Sequence, residues 1–209
     1  MCLYLLLYHF LDLKSWGIWE IKKELENIVL SAFVAAFCFV LGSLAVFKMP
    51  FGGSVSLAHT LPLIFLSLKK GYKVGAKSAL IFCVLKLMFG FYVPPSQKIT
   101  SYILVILFDY ILPYFLVGIS SLYSNIFKEE RKNVVFAVMA SEFLRFLFFT
   151  FSGLLIWNDY FEFGMNVLGL CVAYNLSYMM PNLVISLLMV ALIYKNEKYV
   201  ELVFGHTFL

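Results

Sequence analysis

The sequence predicts an all-α integral membrane protein of six transmembrane helices with both termini in the cytoplasm. Hydrophobic residues make up 63% of the 209-residue chain and charged residues only 13%, whereas a soluble domain has about 45–50% apolar and about 25% charged residues. A soluble fold of this size could not bury so much apolar surface. Six apolar runs, and the placement of Lys and Arg around them, give the helix count and the orientation.

The six apolar runs are candidates for spanning helices, which typically need about 20 mostly apolar residues. Helices are expected because a backbone in hydrocarbon must pair its polar groups internally, and because the runs do not alternate in polarity as barrel strands do. The second run is short and follows the glycine-rich residues 50–54, and Pro181 is expected to kink the sixth. The runs cover approximately residues 27–47, 55–68, 74–92, 100–124, 133–156 and 165–194.

The chain is predicted to hold one membrane domain at residues 27–194, between an N-terminal flank at 1–26 and a cytoplasmic tail at 195–209. Residues 1–13 are apolar but too short to span a bilayer. They are expected to form an interfacial helix or to be translated from an upstream start codon. A signal peptide is disfavoured because no basic residues precede them and no small-residue cleavage site follows.

The basic residues orient the helices, because cytoplasmic connections carry an excess of Lys and Arg. The only basic residues in the first, third and fifth connections are Lys48 and Lys98. The fifth connection instead carries the acidic residues Asp159 and Glu162. Most of the 16 basic residues instead lie before the first run, in the second and fourth connections, or after the sixth run: Lys14, Lys22, Lys23, Lys69, Lys70, Lys73, Lys77, Lys128, Arg131, Lys132, Lys195 and Lys198. This alternation predicts six spans with both ends cytoplasmic.

The sequence carries few residues suited to catalysis or to cofactor binding. It has no GxxxxGK[ST] phosphate loop, HExxH motif or CxxC pair, so we expect no bound cofactor or metal. Its four cysteines are interpreted as small core residues, and a net charge of +4 does not suggest a nucleic-acid partner. A carrier or binding protein is therefore more plausible than an enzyme. A secondary carrier is disfavoured because we find neither inverted repeats nor paired helix breaks.

Four ionisable residues fall inside the predicted spans, where such residues are costly and usually functional: Lys86, Asp109, Glu142 and Arg145. Glu142 and Arg145 are three residues apart and are expected to form a local ion pair. Asp109 has no basic residue within four positions. It is either bridged to Lys86 or is the counter-ion of a cationic substrate. Asn175 is the main neutral polar candidate.

Aromatic and small residues mark two further helix faces. Arg145, Phe149, Gly153 and Trp157 recur every four residues and share one face of the fifth span. Trp157 is either an interfacial belt residue or a stacking platform for a flat or cationic ring. On the first span, Ala32 and Ala36 allow close approach of another helix. Belt positions are expected for most of Tyr92, Tyr102, Tyr160 and Tyr178.

Several segments resemble the ThiT/YuaJ family of thiamine transporters. Residues 50–57 (PFGGSVSL), 61–63 (LPL) and 66–71 (LSLKKG) are similar to that family's first-loop and second-helix signature. Residues 108–110 (FDY) resemble its acidic–Tyr pair on the fourth helix. Blocks 145–157 and 174–181 resemble those of its fifth and sixth helices, so the resemblance extends in order over about residues 27–194.

The resemblance implies the fold and partners of a substrate-binding S component of an energy-coupling factor (ECF) transporter. Such a protein has six helices with both ends cytoplasmic. It binds thiamine from outside and associates with a transmembrane T component and two ATPases. The family's small-residue motif contacts the T component, and Ala32 and Ala36 match it.

The resemblance also implies a substrate site. Asp109 would face the thiazolium cation, Tyr110 and Trp157 would wall the ring, and Asn175 would hydrogen-bond the substrate. Tyr174 and Phe149 complete the predicted set. Three positions depart from the family: Phe149 stands where it has His, Leu170 where it has Tyr, and Lys86 where a neutral residue is usual.

The sequence therefore predicts a multi-pass cell-membrane protein that is not an enzyme and that binds thiamine as the S component of an ECF transporter. The departures keep two alternatives open. One is an S component for another vitamin or a thiamine precursor, and the other is a membrane assembly protein without a transport role.

Overall fold

The described part of the chain is a helical bundle with a short β-hairpin. The computed structural model describes the backbone of residues 2–124, 126–160 and 166–204, and side chains from Trp19 onward within these ranges except at positions 51, 159, 160, 202 and 204. The helices are α1 (Cys2–Ser43), α2 (Leu61–Lys70), α3 (Tyr72–Phe89), α4 (Ile99–Val105), α5 (Leu112–Gly118), α6 (Ser121–Ser124), α7 (Glu130–Leu155), α8 (Val167–Tyr194) and α9 (Glu197–Phe204). The hairpin pairs β1 (Ala45–Lys48) with β2 (Ser54–Ser56), and short 3₁₀ turns cover Pro50–Gly52 and Trp157–Tyr160.

Four helical stretches of the described chain are long and apolar enough to cross a membrane: Trp19–Ser43, Ile99–Gly118, Glu130–Leu155 and Val167–Tyr194. They overlap the first, fourth, fifth and sixth predicted runs, although the first stretch begins eight residues before its run and the second ends six residues before the end of its run. The helix α8 is continuous through Pro181. The third run corresponds to α3, an 18-residue helix that contains Lys73, Lys77 and Lys86.

The predicted runs at residues 27–47 and 55–68 extend beyond the helices that they contain, so the expectation of helix is wrong at residues 45–47 and 55–60. The helix α1 ends at Ser43, and residues 45–48 pair antiparallel with 54–56, with Ala45 opposite Ser56 and Lys48 opposite Ser54. Pro62 lies in the first turn of α2, where a proline is tolerated because its missing N–H has no helical partner. The resulting ten-residue helix is about 15 Å long, half the hydrocarbon thickness.

The predicted N-terminal flank is part of α1, which runs without a break from Cys2 to Ser43. The side chains of residues 1–13 lie outside the described part of the chain, so their interfacial role remains a prediction. At the other end, the predicted tail contains the helix α9, and Lys69 Nζ on α2 donates to the Val203 carbonyl at 2.7 Å.

Small residues allow the helices around α3 to pack closely. Ser31 on α1 donates to the Val74 carbonyl at 3.2 Å, and Ser78 returns a 2.8 Å bond to the Ser31 carbonyl. A Cβ at Gly75 would collide with the carbonyl oxygen of Gly118 on α5, so glycine is required at this contact. Fully buried side chains fill the centre of the bundle, among them Phe82, Leu63, Ile64, Val117, Val134 and Val138.

Candidate functional site

A cavity of about 400 Å³ lies between the hairpin, α3, α7, α8 and the helix formed by α4 and α5. Its volume is within the range of about 300–1,000 Å³ typical of small-molecule sites. All six side chains that the sequence predicted as a substrate site line this cavity: Asp109, Tyr110, Phe149, Trp157, Tyr174 and Asn175.

Asp109 and Tyr110 enter the cavity from a π-helical turn that spans Ile106–Ile111 between α4 and α5. Pro113 follows in the first turn of α5. Its ring lacks the N–H that would bond the Asp109 carbonyl in an α-helix, and helices commonly adapt to such a proline by a wider turn. Such turns frequently occur at functional sites, and here the turn carries the acidic residue of the site.

Asp109 is held by Trp157 and not by Lys86. Trp157 Nε1 donates to Asp109 Oδ2 at 3.1 Å across the cavity. Within the described residues, ion pairs closer than 4.0 Å join Lys77 to Glu24, Lys132 to Glu129 and Arg145 to Glu142. The expected alternative of an Asp109–Lys86 bridge is therefore not formed, and the carboxylate instead accepts a hydrogen bond from the Trp157 indole.

Aromatic rings form the wall beside Asp109. The Tyr110 ring stacks on Phe91, with centroids 5.7 Å apart, and its hydroxyl donates to the Gly90 carbonyl at 3.0 Å and accepts from Tyr92 N at 2.9 Å. The Tyr92 ring lies 5.6 Å from the Trp157 ring. Both Trp157 and Tyr92 line the cavity, which favours the stacking-platform interpretation of Trp157.

Asn175 is fixed within the cavity wall by two polar neighbours. Its Nδ2 donates to Thr150 Oγ1 at 3.3 Å, and its Oδ1 accepts from the Tyr178 hydroxyl at 2.8 Å. Tyr178 lines the cavity and is buried, which argues against a belt position for this residue. The amide keeps a second N–H, which can serve a ligand.

The glycine-rich loop of the hairpin is fastened over the cavity by α8. The Tyr174 hydroxyl donates to the Pro50 carbonyl and accepts from Gly53 N at 3.1 Å. A Cβ at Gly53 would lie 2.7 Å from Tyr178 Cδ1 and 2.9 Å from the Tyr174 hydroxyl oxygen, so only glycine allows this approach. Asn182 adds bonds to Ser56 N at 2.8 Å and to the Ser54 carbonyl at 2.9 Å.

The expected ion pair between Glu142 and Arg145 is confirmed. Arg145 Nη1 lies 2.7 Å from Glu142 Oε1 and 2.8 Å from Oε2, and both side chains are buried. Thr60 Oγ1 also donates to Glu142 Oε1 at 2.9 Å. The guanidinium packs over Tyr114 at 4.9 Å and over Phe149 at 5.4 Å. All four residues of the predicted face line the cavity: Arg145, Phe149, Gly153 and Trp157.

Sequence reasoning missed several cavity residues, among them His59, Tyr92, Tyr114, Tyr178 and Asn182. The spacing of seven residues between Asn175 and Asn182 places both on one face of α8 and could have identified Asn182. His59 and Tyr114 gave no such signal, because their roles depend on contacts between distant segments. Ala32 and Ala36, predicted to meet a partner, are exposed on α1.

Comparisons with known proteins place the chain in one family. A family model described as thiamine transporter protein (Thia_YuaJ) matches residues 28–202. The thiamine transporter ThiT of Bacillus subtilis (strain 168) is 25% identical over 184 residues, which cover 83% of this chain and 92% of the relative. The solved structure of ThiT from Listeria monocytogenes matches with a TM-score of 0.66 at 17% identity, over 85% of this chain and 98% of that one.

The family model covers most of the chain, and a solved structure shares its fold. The apolar helices that bound the cavity agree with a protein that crosses the membrane several times. The chain therefore belongs to the thiamine transporter (Thia_YuaJ) family and is a multi-pass protein of the cell membrane, a transporter and not an enzyme.

Proposed function

We propose that this protein binds thiamine in the cavity and delivers it across the membrane as the S component of an ECF transporter. The observation that carries the proposal is the pairing of the Asp109 carboxylate with the Trp157 indole inside one cavity. Thiamine carries a permanently cationic thiazolium ring. A carboxylate and aromatic faces together stabilise such a cation, more strongly when the site excludes water.

The other predicted residues have complementary roles in the proposal. Tyr110 and Trp157 form the walls of the ring site, with Phe149 of α7 as a further apolar part of the wall. Asn175 donates its second amide hydrogen to a ring nitrogen of the ligand. Tyr174 holds the glycine-rich loop over the bound molecule.

We also propose six membrane crossings with both termini in the cytoplasm. The four long apolar stretches make four of these crossings. The other two are made by α3 and by α2 together with the loop that precedes it. Lys69, Lys70, Lys128 and Lys132 mark the cytoplasmic side. Trp157 follows the end of α7 that is opposite its basic start at Arg131 and Lys132, so the cavity lies toward the outer surface, where an importer meets its substrate.

The proposed partners are a T component and two ATPases, because the sequence contains no nucleotide-binding loop of its own. Ala32 and Ala36 are exposed on α1 among large exposed apolar side chains, including Val29 at 61% and Phe33 at 69%. Small side chains on such a face allow another helix to approach closely. This face is the proposed contact with the T component.

Uptake of labelled thiamine into proteoliposomes tests the transport proposal. Uptake should require the T component, both ATPases and ATP. Ala36→Trp should reduce uptake at least ten-fold while thiamine binding to the isolated protein is unchanged. Ala191→Trp, at an exposed position on α8, is the matched control. Uptake without the partner module, or an equal loss in both variants, would contradict the proposal.

The alternatives make different predictions. An S component for another vitamin would show a thermal shift with that vitamin and none with thiamine. An assembly protein would show none with any small molecule. The open cavity of about 400 Å³ favours a ligand-binding role over the assembly role.

A further inference from the structure

Three nitrogen-bearing side chains surround the Tyr114 ring on the cavity wall. Lys86 Nζ lies 5.9 Å and Arg145 Cζ 4.9 Å from the ring centroid, and the centroid of the His59 ring lies 6.1 Å away. All four residues line the cavity. We call the group of Lys86, His59 and Arg145 the basic corner.

Two donors of the basic corner lack a partner within the described chain. Both His59 Nε2 and Arg145 Nε are buried and make no hydrogen bond there. His59 Nδ1 lies 2.6 Å from Ser56 Oγ, whereas that hydroxyl is 3.5 Å from Asn182 Oδ1. In the tautomer in which Ser56 donates to Nδ1, the neutral imidazole carries its proton on Nε2, which can then donate to a ligand. Buried donors are rarely left without an acceptor.

Lys86 differs from Arg145 in its charge balance. Arg145 is neutralised by Glu142, whereas Lys86 has no carboxylate within 4.0 Å in the described part of the chain. Lys86, Arg145, Glu142 and Asp109 together are neutral. A thiamine cation bound at Asp109 would leave the half-buried Lys86 ammonium without a compensating charge, which an anionic group on the ligand would supply.

We propose that the basic corner binds an anionic oxygen group, a phosphate monoester or a carboxylate, carried by the same ligand whose cationic ring lies at Asp109. This inference rests on the proposed function and narrows its substrate class to zwitterionic relatives of thiamine. Lys86 is then the residue that determines this specificity, with His59 Nε2 and Arg145 Nε as further donors.

The dimensions of the site suit one ligand that reaches both groups. Tyr114, at the centre of the basic corner, follows Asp109 by five residues, or about 7 Å along the helix axis. An anionic group on a flexible substituent of a ring bound at Asp109 can span that distance. Phe149 and Leu170 also line the cavity, but their side chains are apolar and cannot hydrogen-bond a ligand. Lys86 and His59 can supply polar contacts that these two positions do not.

Calorimetric titration of the purified full chain tests the proposal. Thiamine, thiamine monophosphate and a thiamine analogue with a carboxylate in place of the terminal alcohol are compared on wild type, Lys86→Met and the control Lys73→Met, an exposed lysine of the same helix. Wild type should prefer one or both anionic ligands over thiamine by about ten-fold or more. That preference should disappear in Lys86→Met and persist in Lys73→Met. The ligand that wild type prefers identifies the anion.

A second measurement separates this proposal from thiamine binding itself. Thermal unfolding in sodium phosphate, sodium acetate and sodium chloride of equal ionic strength should show stabilisation by phosphate or by acetate of wild type and Lys73→Met but not of Lys86→Met. Equal stabilisation of all three proteins, or an anion preference that survives in Lys86→Met, would overturn the anion site. Failure of every thiamine compound to bind, with the anion effect intact, would overturn the proposed function alone.

Discussion

The indole of Trp157 and the carboxylate of Asp109 are joined by a 3.1 Å hydrogen bond. This bond connects the 3₁₀ turn after α7 to the π-helical turn between α4 and α5. It orients the carboxylate and the aromatic ring before a ligand arrives, and such preorganisation lowers the cost of binding. A carboxylate aimed by an indole is suited to an organic cation with a flat ring.

Replacing Trp157 by Phe keeps a ring but removes the bond to Asp109. Thiamine binding should weaken about ten-fold, because a hydrogen bond to a charged group contributes about 1.5–3 kcal/mol. Any ligand-induced change in tryptophan fluorescence should also vanish, although Trp16 and Trp19 remain. Calorimetry measures the affinity independently. A fluorescence change that persists in Trp157→Phe would place the ligand elsewhere.

Removing the charge of Glu142 should destabilise the bundle. Glu142→Gln leaves the buried Arg145 guanidinium without its anionic partner, which typically costs about 3–5 kcal/mol. The control is Glu129→Gln, which breaks an exposed pair with Lys132 and should cost less than about 1 kcal/mol. Thermal unfolding in detergent compares the stability of the two variants. A similar loss of stability in both would contradict the prediction that the buried pair contributes more than the exposed one.

The loop over the cavity should retain the ligand. Tyr174→Phe removes the hydroxyl that bonds Pro50 and Gly53. Thiamine should then dissociate several-fold faster, with little change in its association rate. Stopped-flow measurements test this, with the exposed Tyr199→Phe on α9 as control. An unchanged dissociation rate in Tyr174→Phe would mean that the loop does not retain the ligand.

The long helices could be predicted from the sequence because each is specified locally. An apolar run of membrane length has one stable backbone conformation in hydrocarbon, the helix. The local spacing of Glu142 and Arg145 likewise predicted their ion pair. The six predicted site residues line one cavity, and most of them were identified through resemblance to a family rather than through spacing.

The hairpin and the basic corner could not be predicted because they depend on distant segments. Strands of four and three residues persist here because Asn182 on α8 bonds the backbone of Ser54 and Ser56. His59 reaches the cavity from the loop after that hairpin. Its proximity to Lys86 and Arg145 follows from the packing of α3 and α7 around Tyr114, which no local pattern encodes.

Titration of thiamine into wild type and Asp109→Asn, side by side, tests the central claim most directly. The substitution keeps the shape of the side chain and removes its charge, so loss of the thiazolium counter-ion should weaken binding at least ten-fold. Glu129→Gln makes the same chemical change on the surface and should bind like wild type. Saturable binding by wild type with this selective loss is the predicted result. No saturable binding by wild type up to millimolar thiamine, or equal affinity in Asp109→Asn, would contradict the account.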